Sequence, residues 1–297
     1  MPAKKRVAVF DLASRRTKTI GVIVPRLDSH FIMAALRGIQ EVISEKGYEI
    51  IITHSQESRE KEMANVRLLF ERNVDGVLAS LSAETKGTAH FTPFIDRGIP
   101  VVFFDSVKKA HSSGAVVIDN ARCGYLATEH LFRQGCRRIA IITSDPKRDV
   151  NAQRYQGFRK ALEKYDLPFL KELLITCDTG IEGGMNAAKQ VLRMQPLPDG
   201  LFITDDLAAA VCMQALKDAG VRVPGEIAIV GLNNDPVGRL ITPALTTIDY
   251  PGFEVGKTAA SRLVDHLWGS VAAQGLTTAV VPPALIVRAS SLRSLAS

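Results

Sequence analysis

The chain has 297 residues, 46% of them apolar, enough to fill the cores of two domains of ordinary size, and no run of 18 apolar residues that would span a membrane. Four cysteines (Cys123, Cys136, Cys177 and Cys212) lie far apart with no C-x-x-C pair, so they read as small buried hydrophobes in a reducing cytoplasm and not as a disulfide or zinc framework. The net charge of +6 is unevenly spread: Lys4, Lys5, Arg6, Arg15, Arg16 and Lys18 stand against Asp11 alone in the first 18 residues, which hold +5 and leave about +1 for the rest. A nucleic-acid surface spread over the folded body would need more than that, because phosphate neutralisation dominates such affinity. The same basic start lacks an uninterrupted apolar segment and a cleavage site, so no secretory signal is read and the expected localisation is cytoplasmic.

From Thr19 the chain alternates apolar runs with amphipathic stretches. Strands are predicted at 20–24, 49–53, 75–80, 100–105 and 115–118, with helices over Phe31–Lys46, Glu57–Arg72 and Phe91–Arg97, several of them closed by a glycine such as Gly47 or Gly98. The plan repeats after Asp119, with strands at 138–142, 173–176, 200–204 and 227–231 and helices at about 120–134, 150–165, 181–194 and 206–219. A short strand in PALTTID, a helix after Gly252, and two short strands at Val280-Val281 and Leu285–Val287 complete the chain. Strands without polar alternation are buried on both faces, the mark of a parallel sheet covered by helices. Two successive runs of βαβ units predict an α/β fold of two doubly wound parallel-sheet lobes.

The most informative stretch is Gly200–Asp249, where one apolar run stops at Thr204-Asp205-Asp206 and a second stops at Gly231-Leu232-Asn233-Asn234-Asp235. Its sequence ITDDLAAAVCMQALKDAGVRVPGEIAIVGLNND, followed by PALTTID, closely resembles the effector-binding domain of the LacI/GalR family of bacterial transcriptional regulators. The resemblance runs from about Thr19 to Ser290. It implies a type I periplasmic-binding-protein-like architecture whose lobes are joined by crossover strands, with the chain passing between them three times. On this reading residues 19–118 with 250–281 form the N-terminal lobe and 119–249 with 282–297 the C-terminal lobe, while 1–18 is a basic remnant of the DNA-binding head and hinge.

Ligands of open α/β sheets bind beyond the carboxyl ends of the strands, so polar groups of both lobes are expected to converge there on one small molecule. After the first strand come Ser29, His30 and Phe31; Asp105 follows PVVFF; Arg154 lies beyond RIAIIT; Asp205 follows GLFIT; Asn233 follows IAIVGL. Each has a plainer role open to it: Asp205 as a helix cap, Asn233 as a turn residue, Asp105 as a strand terminator, Arg154 as a solvated helix charge and Phe31 or Phe104 as core. Together they match the family's ligand-contacting positions, which favours the binding role for Arg154, Asp205 and Asn233. An arginine fork holds paired hydroxyls or a carboxylate, and carboxylates and amides accept from sugar hydroxyls. Two departures bear on ligand identity: Asn233 stands where the family usually has Asp, and Thr179 where an aromatic platform is common.

No enzyme is expected. G-x-G-x-x-G, G-x-S-x-G and H-E-x-x-H are absent, and His30, His54, His90, His111, His130 and His266 show no metal-ligand spacing, so neither cofactor nor metal is called for. GFEVGKT (252–258) falls one residue short of a phosphate-binding loop, and the phase of Val255, Ala259, Leu263 and Leu267 favours a core-facing helix.

At the start, KRVAVFDLASR resembles the opening of the family's DNA-binding unit, through Val7, Asp11, Leu12 and Ala13, and RTKTIGVIVP the end of its hinge and the first strand. No residues remain between about Arg15 and Thr17 for a turn and a recognition helix, which specific reading of the major groove in this motif class requires. DNA contacts would fall to Lys4, Lys5, Arg6, Arg15 and Arg16. The expected function is a ligand-responsive transcriptional regulator that binds a small polar metabolite, a sugar or sugar derivative, between its lobes and so sets the DNA binding of a homodimer. Operator DNA is the partner of a complete regulator. The alternative is a solute-binding protein of a transport system, which shares the two-lobe plan. For residues 1–297 alone, a mobility-shift titration is expected to show weak binding that fades with salt, and nanomolar sequence-specific binding would overturn this reading.

Overall fold

The computed structural model describes residues 16–107, 114–146, 149–269 and 277–293. In chain order it contains β1 (Thr19–Val24), α1 (His30–Glu45), β2 (Glu49–His54), α2 (Arg59–Glu71), β3 (Gly76–Ala79), α3 (Thr92–Asp96), β4 (Val101–Phe104) and β5 (Ala115–Ile118). There follow α4 (Asn120–Arg133), β6 (Ile139–Thr143), α5 (Asp149–Lys164), β7 (Leu174–Thr176), α6 (Gly180–Leu192), β8 (Gly200–Ile203), α7 (Asp206–Asp218) and β9 (Ala228–Leu232). The tail supplies α8 (Val237–Leu240), β10 (Thr246–Asp249), α9 (Gly252–Leu267), β11 (Ala279–Val281) and β12 (Ala284–Ile286).

These elements form two compact units. One takes the chain up to Val117 with Gly252–Ala279, the other Ile118–Pro251 with the chain from Val280 onward. The first sheet runs β11-β5-β4-β3-β1-β2 and the second β12-β10-β9-β8-β6-β7. Pairing is parallel from β1 to its neighbours β2 and β3, with Thr19 opposite Glu49 and Ile20 opposite Gly76, and likewise from β8 to β6 and β9. An antiparallel edge is added to the second sheet by β12, with Thr247 opposite Ile286. The central strands GVLA, VVFF, GLFI and AIVGL are buried at every position, whereas the edge strand β2 is exposed at every second or third residue. That is the burial expected of a parallel sheet with helices on both faces.

The two units use the same local devices. Asp75, just before Gly76 of β3, accepts the N–H groups of Thr17 and Lys18 at 3.0 and 2.8 Å. Asp199, just before Gly200 of β8, does the same for Arg137 and Arg138, at 2.8 Å each. Each aspartate therefore fixes the start of the neighbouring strand, β1 in one unit and β6 in the other. The pairing of α1 with α9 and that of α4 with α5 are equally alike, because both bring backbones together at glycine. A Cβ on Gly256 would stand 2.0 Å from the Ala35 carbonyl oxygen, and one on Gly157 1.8 Å from that of Ala121. GFEVGKT is thus about the first two turns of α9, packed on α1, with Val255, Ala259 and Leu263 in the core.

Departures from the predicted elements have local causes. The second helix starts at Arg59, not Glu57, because Gln56 and Glu57 hold φ values of 52° and 61° and Ser58 caps the helix by accepting from Lys61 N–H. Phe91–Arg97 divides into a 3₁₀ turn at Ala89–Phe91 and α3, where Pro93 lies in the first turn. The last strand, predicted at Leu285–Val287, lies one residue earlier, and α8 was not anticipated at all, its four residues being too few to show a period. Gly157→Ala is expected to destabilise the chain by about 2–4 kcal/mol, since the clash is with backbone, while Gly87→Ala, with open space around it, costs under ~1 kcal/mol; urea denaturation of both variants checks this.

Candidate functional site

Within the first unit, the residues after β1 form a short polar bend. Arg26 and Asp28 pair at 2.8 Å on the surface, and Ser29 caps α1 by accepting from Ile32 N–H at 3.4 Å. His30 is exposed at the first position of α1, whereas Phe31 is only 6% exposed and Phe104 fully buried, both within the apolar core. Asp105 ends β4 with φ at 60°, its N–H donating to Val116 O. Few side chains accept that left-handed conformation, and Asp is among them.

The carboxyl ends of β6, β7 and β8 in the second unit surround a narrow depression lined by Thr143, Ser144, Asp178, Thr179 and Asp205. Asp205 caps α7: its Oδ1 accepts from Ala208 N–H at 2.8 Å and also from Gly180 N–H at 3.3 Å, which ties the start of α6 to the start of α7. Capping and a site role are therefore compatible, because Oδ2 takes no protein donor among the described residues. Thr179 sits before α6 without a side-chain capping bond.

Arg154 is not a solvated helix charge. It faces inward from α5, 9% exposed, with Nε donating to Asn120 Oδ1 at 2.9 Å and Nη1 to Asn151 Oδ1 at 3.5 Å. Its guanidinium lies 5.0 Å from the centre of the Tyr250 ring, whose hydroxyl also donates to Asn120 Oδ1. Asn151 in turn donates to Ser144 Oγ at 2.8 Å, so the arginine is wired to the wall of the depression. The close glycine contact between α4 and α5 sets its depth: a Cβ on Gly124 would stand 1.9 Å from the Arg154 carbonyl oxygen. Among the described residues this cation has no acidic partner and its Nη2 no acceptor.

Asn233 follows β9 with φ at 119°, its N–H donating to Ile248 O, two residues before Tyr250. Arg154, Asp205 and Asn233 thus lie along the carboxyl edge of one sheet. Ser29, His30, Phe31 and Asp105 belong to the other unit, along the corresponding edge of its own sheet. Of the basic residues read as DNA contacts, Lys4, Lys5, Arg6 and Arg15 lie outside the described residues, and Arg16 donates to the Leu267 carbonyl at the end of α9. Sequence reasoning passed over Asn120, Asn151 and Tyr250, which support Arg154, and over Asp206, whose carboxylate is fully buried. For Asp206 the signal was present, a second acid beside Asp205 at the start of an otherwise apolar helix. For Asn120 and Tyr250 there was none, since 130 residues separate them.

A model of the periplasmic binding protein-like domain matches residues 128–291. The HTH-type transcriptional repressor PurR of Proteus mirabilis is 31% identical over 259 residues, covering 86% of this chain and 75% of that protein. This chain belongs to the LacI/GalR family of transcriptional regulators. A LacI-family regulator from Enterococcus faecium with bound ribose superposes with a TM-score of 0.80 at 28% identity, covering 92% of this chain and 98% of that one. The transcriptional regulator CelR in complex with cellobiose gives 0.82 at 26% identity, with 93% and 85% covered. As a LacI/GalR member the chain is a ligand-responsive regulator and not a binding protein feeding a transporter. Its fold is the type I periplasmic-binding-protein-like one, and no helix among the described residues is long and apolar enough to cross a membrane. No cluster of His, Cys, Asp and Glu among them is placed to hold a metal ion.

Burial lifts the Asp206 carboxyl from its ordinary 3.8 to about 7, against the opposing pull of the Thr247 hydroxyl and the Asp235 amide and with some help from the charges of Asp235 and Asp205. The folded-state value lies above the unfolded one, so the stability contributed by neutral Asp206 is complete below about 4 and is lost as pH rises through about 7. Denaturation at pH 5 and pH 8 is expected to show wild type losing on the order of 2 kcal/mol more than Asp206→Asn across that interval; equal losses would place the titration elsewhere.

Proposed function

We propose that this LacI/GalR regulator senses a small polar metabolite, a sugar or sugar derivative, at the carboxyl edge of its second unit, with Arg154, Asp205 and Asn233 as the contacts. The reading rests on Arg154: a buried guanidinium held in place by two asparagines and a tyrosine ring, with one end of its fork unspent among the described residues. Burial of a cation without an acid beside it is costly unless a further partner arrives, and hydroxyls or a carboxylate on a ligand supply one. Asp205 Oδ2 offers an acceptor, and the Asn233 amide both donates and accepts. With Asn in place of the family's usual Asp, that corner carries no charge of its own.

On the family resemblance, Ser29, His30, Phe31 and Asp105 of the first unit are proposed as further effector contacts. Operator DNA is the proposed partner of the complete regulator, a homodimer the proposed working form, and the cytoplasm the proposed location; no enzymatic step is part of this reading. Sugars are the leading candidates because ribose and cellobiose accompany two of the similar structures. Calorimetry against a panel of sugars and derivatives that starts from those two is expected to find a specific ligand, and Arg154→Ala to weaken it by about 10- to 100-fold with the fold intact by circular dichroism. A panel without a binder, or an Arg154→Ala variant that binds as wild type does, would sink the sensing role.

A further inference from the structure

Three elements of the second unit meet at one buried carboxylate. Asp206, the first residue of α7, has no solvent exposure, and its oxygens accept from the Thr247 hydroxyl of β10, at 2.8 and 3.1 Å, and from the Asp235 N–H after β9, at 2.8 Å. β9 makes room for it: a Cβ on Gly231 would fall 2.0 Å from Asp206 Oδ1. Between Gly231 and Asp235 lies the Asn233-Asn234 segment, with φ at 119° and 58°. Backbone in that region persists only where its surroundings over-determine it. Here Thr247 Oγ1 accepts from Asn234 N–H at 3.3 Å, Asn234 Nδ2 donates to Asp249 at 3.0 Å, and Arg288 Nη2 donates to Asn234 Oδ1 at 2.7 Å.

We propose that Asp206 is a positioning residue: through Thr247 and the Asp235 amide its carboxyl holds the loop that carries Asn233, and the loop is held more firmly when that carboxyl is protonated than when it is ionised. The first half is geometry. The second follows from where the charge would lie. With the loop in place the carboxyl has no solvent exposure, and the charges of Asp205 and Asp235 add to the cost of ionising it. The Thr247 hydroxyl and the Asp235 N–H offset that cost only in part, and opening the loop lets water reach the group, so ionisation favours the open arrangement.

The charged groups that face this point are Asp205 before α7, Asp235 in the loop, Asp249 at the end of β10, Arg288 after β12 and, beside Arg288, Arg239 of α8. Burial sets the Asp206 titration at about 7, so the change falls within an accessible pH range. The significance for sensing rests on the reading of Asn233 as an effector contact, whereas the loop's attachment is measurable without any effector, so the two fail separately.

The test is hydrogen exchange on the full chain, followed at the Asn234 and Asp235 amides from pH 6 to pH 8 and expressed relative to the intrinsic rate at each pH. In the wild type, protection of both amides is expected to fall about five- to tenfold across that range, because the opened loop releases a carboxyl whose ordinary value is 3.8. Asp206→Asn, which cannot ionise, is expected to give a flat profile. Thr247→Val is expected to lower protection at Asn234 and to move the midpoint for Asp235 upward, because the hydroxyl that favours the charged form is gone. A wild-type protection that is independent of pH or rises with it, or an unchanged midpoint in Thr247→Val, would overturn the proposal; should Asp206→Asn not fold, the wild-type and Thr247→Val profiles decide it.

Discussion

The strand pairs among β1 to β10 are all parallel, and from this one constraint the remaining organisation follows. Parallel strands need crossovers, crossovers put helices on both faces, and strands so covered must be apolar throughout. Polar residues are then confined to the strand ends, and because the strands run one way, those that follow the strands gather on a single edge. In the second unit that edge carries Thr143 and Ser144 after β6, Asp178 and Thr179 after β7, Asp205 after β8 and Asn233 after β9. No residue in that set had to be selected for proximity in sequence; the sheet does the gathering.

Helix contact sets where Arg154, the one buried cation among the described residues, sits. The backbones of α4 and α5 touch at Gly124 and Gly157, close enough that no side chain fits between them, and the Arg154 backbone is itself one side of the contact. From there the guanidinium reaches Asn120 and Asn151 and stacks on Tyr250. Neutral amides and a ring face orient a guanidinium without cancelling its charge, which leaves it able to engage a ligand. A carboxylate in their place would have settled the charge internally and removed the reason to bind anything.

Family membership and site geometry bear on different questions. The match to LacI/GalR regulators fixes the class of function and the architecture. It does not by itself name the ligand, and here the particulars of this chain matter: Asn233 for the usual Asp, Thr179 in place of an aromatic platform, and a site acid, Asp205, half committed to capping α7. On the proposed reading, the first two reduce the fixed charge and the aromatic surface offered to a sugar ring, which leaves recognition mainly to Arg154 and hydrogen bonds.

Sequence alone determined the order and kind of nearly every element, because buried parallel strands and amphipathic helices write their periods directly into the chain, and it determined which residues follow each strand. It also placed Arg154, Asp205 and Asn233 beyond strand ends, where the family resemblance makes them candidates for a site. Only tertiary structure decided what those residues do. Arg154 is buried and not solvated, Asp205 caps a helix while keeping one oxygen open, and Asp206 beside it supports the Asn233 loop from beneath. Those outcomes depend on Asn120 meeting Tyr250 and Asp206 meeting Thr247, contacts spanning 130 and 41 residues. A periodic pattern records which face of an element is buried, and carries nothing about which distant side chain will be waiting there.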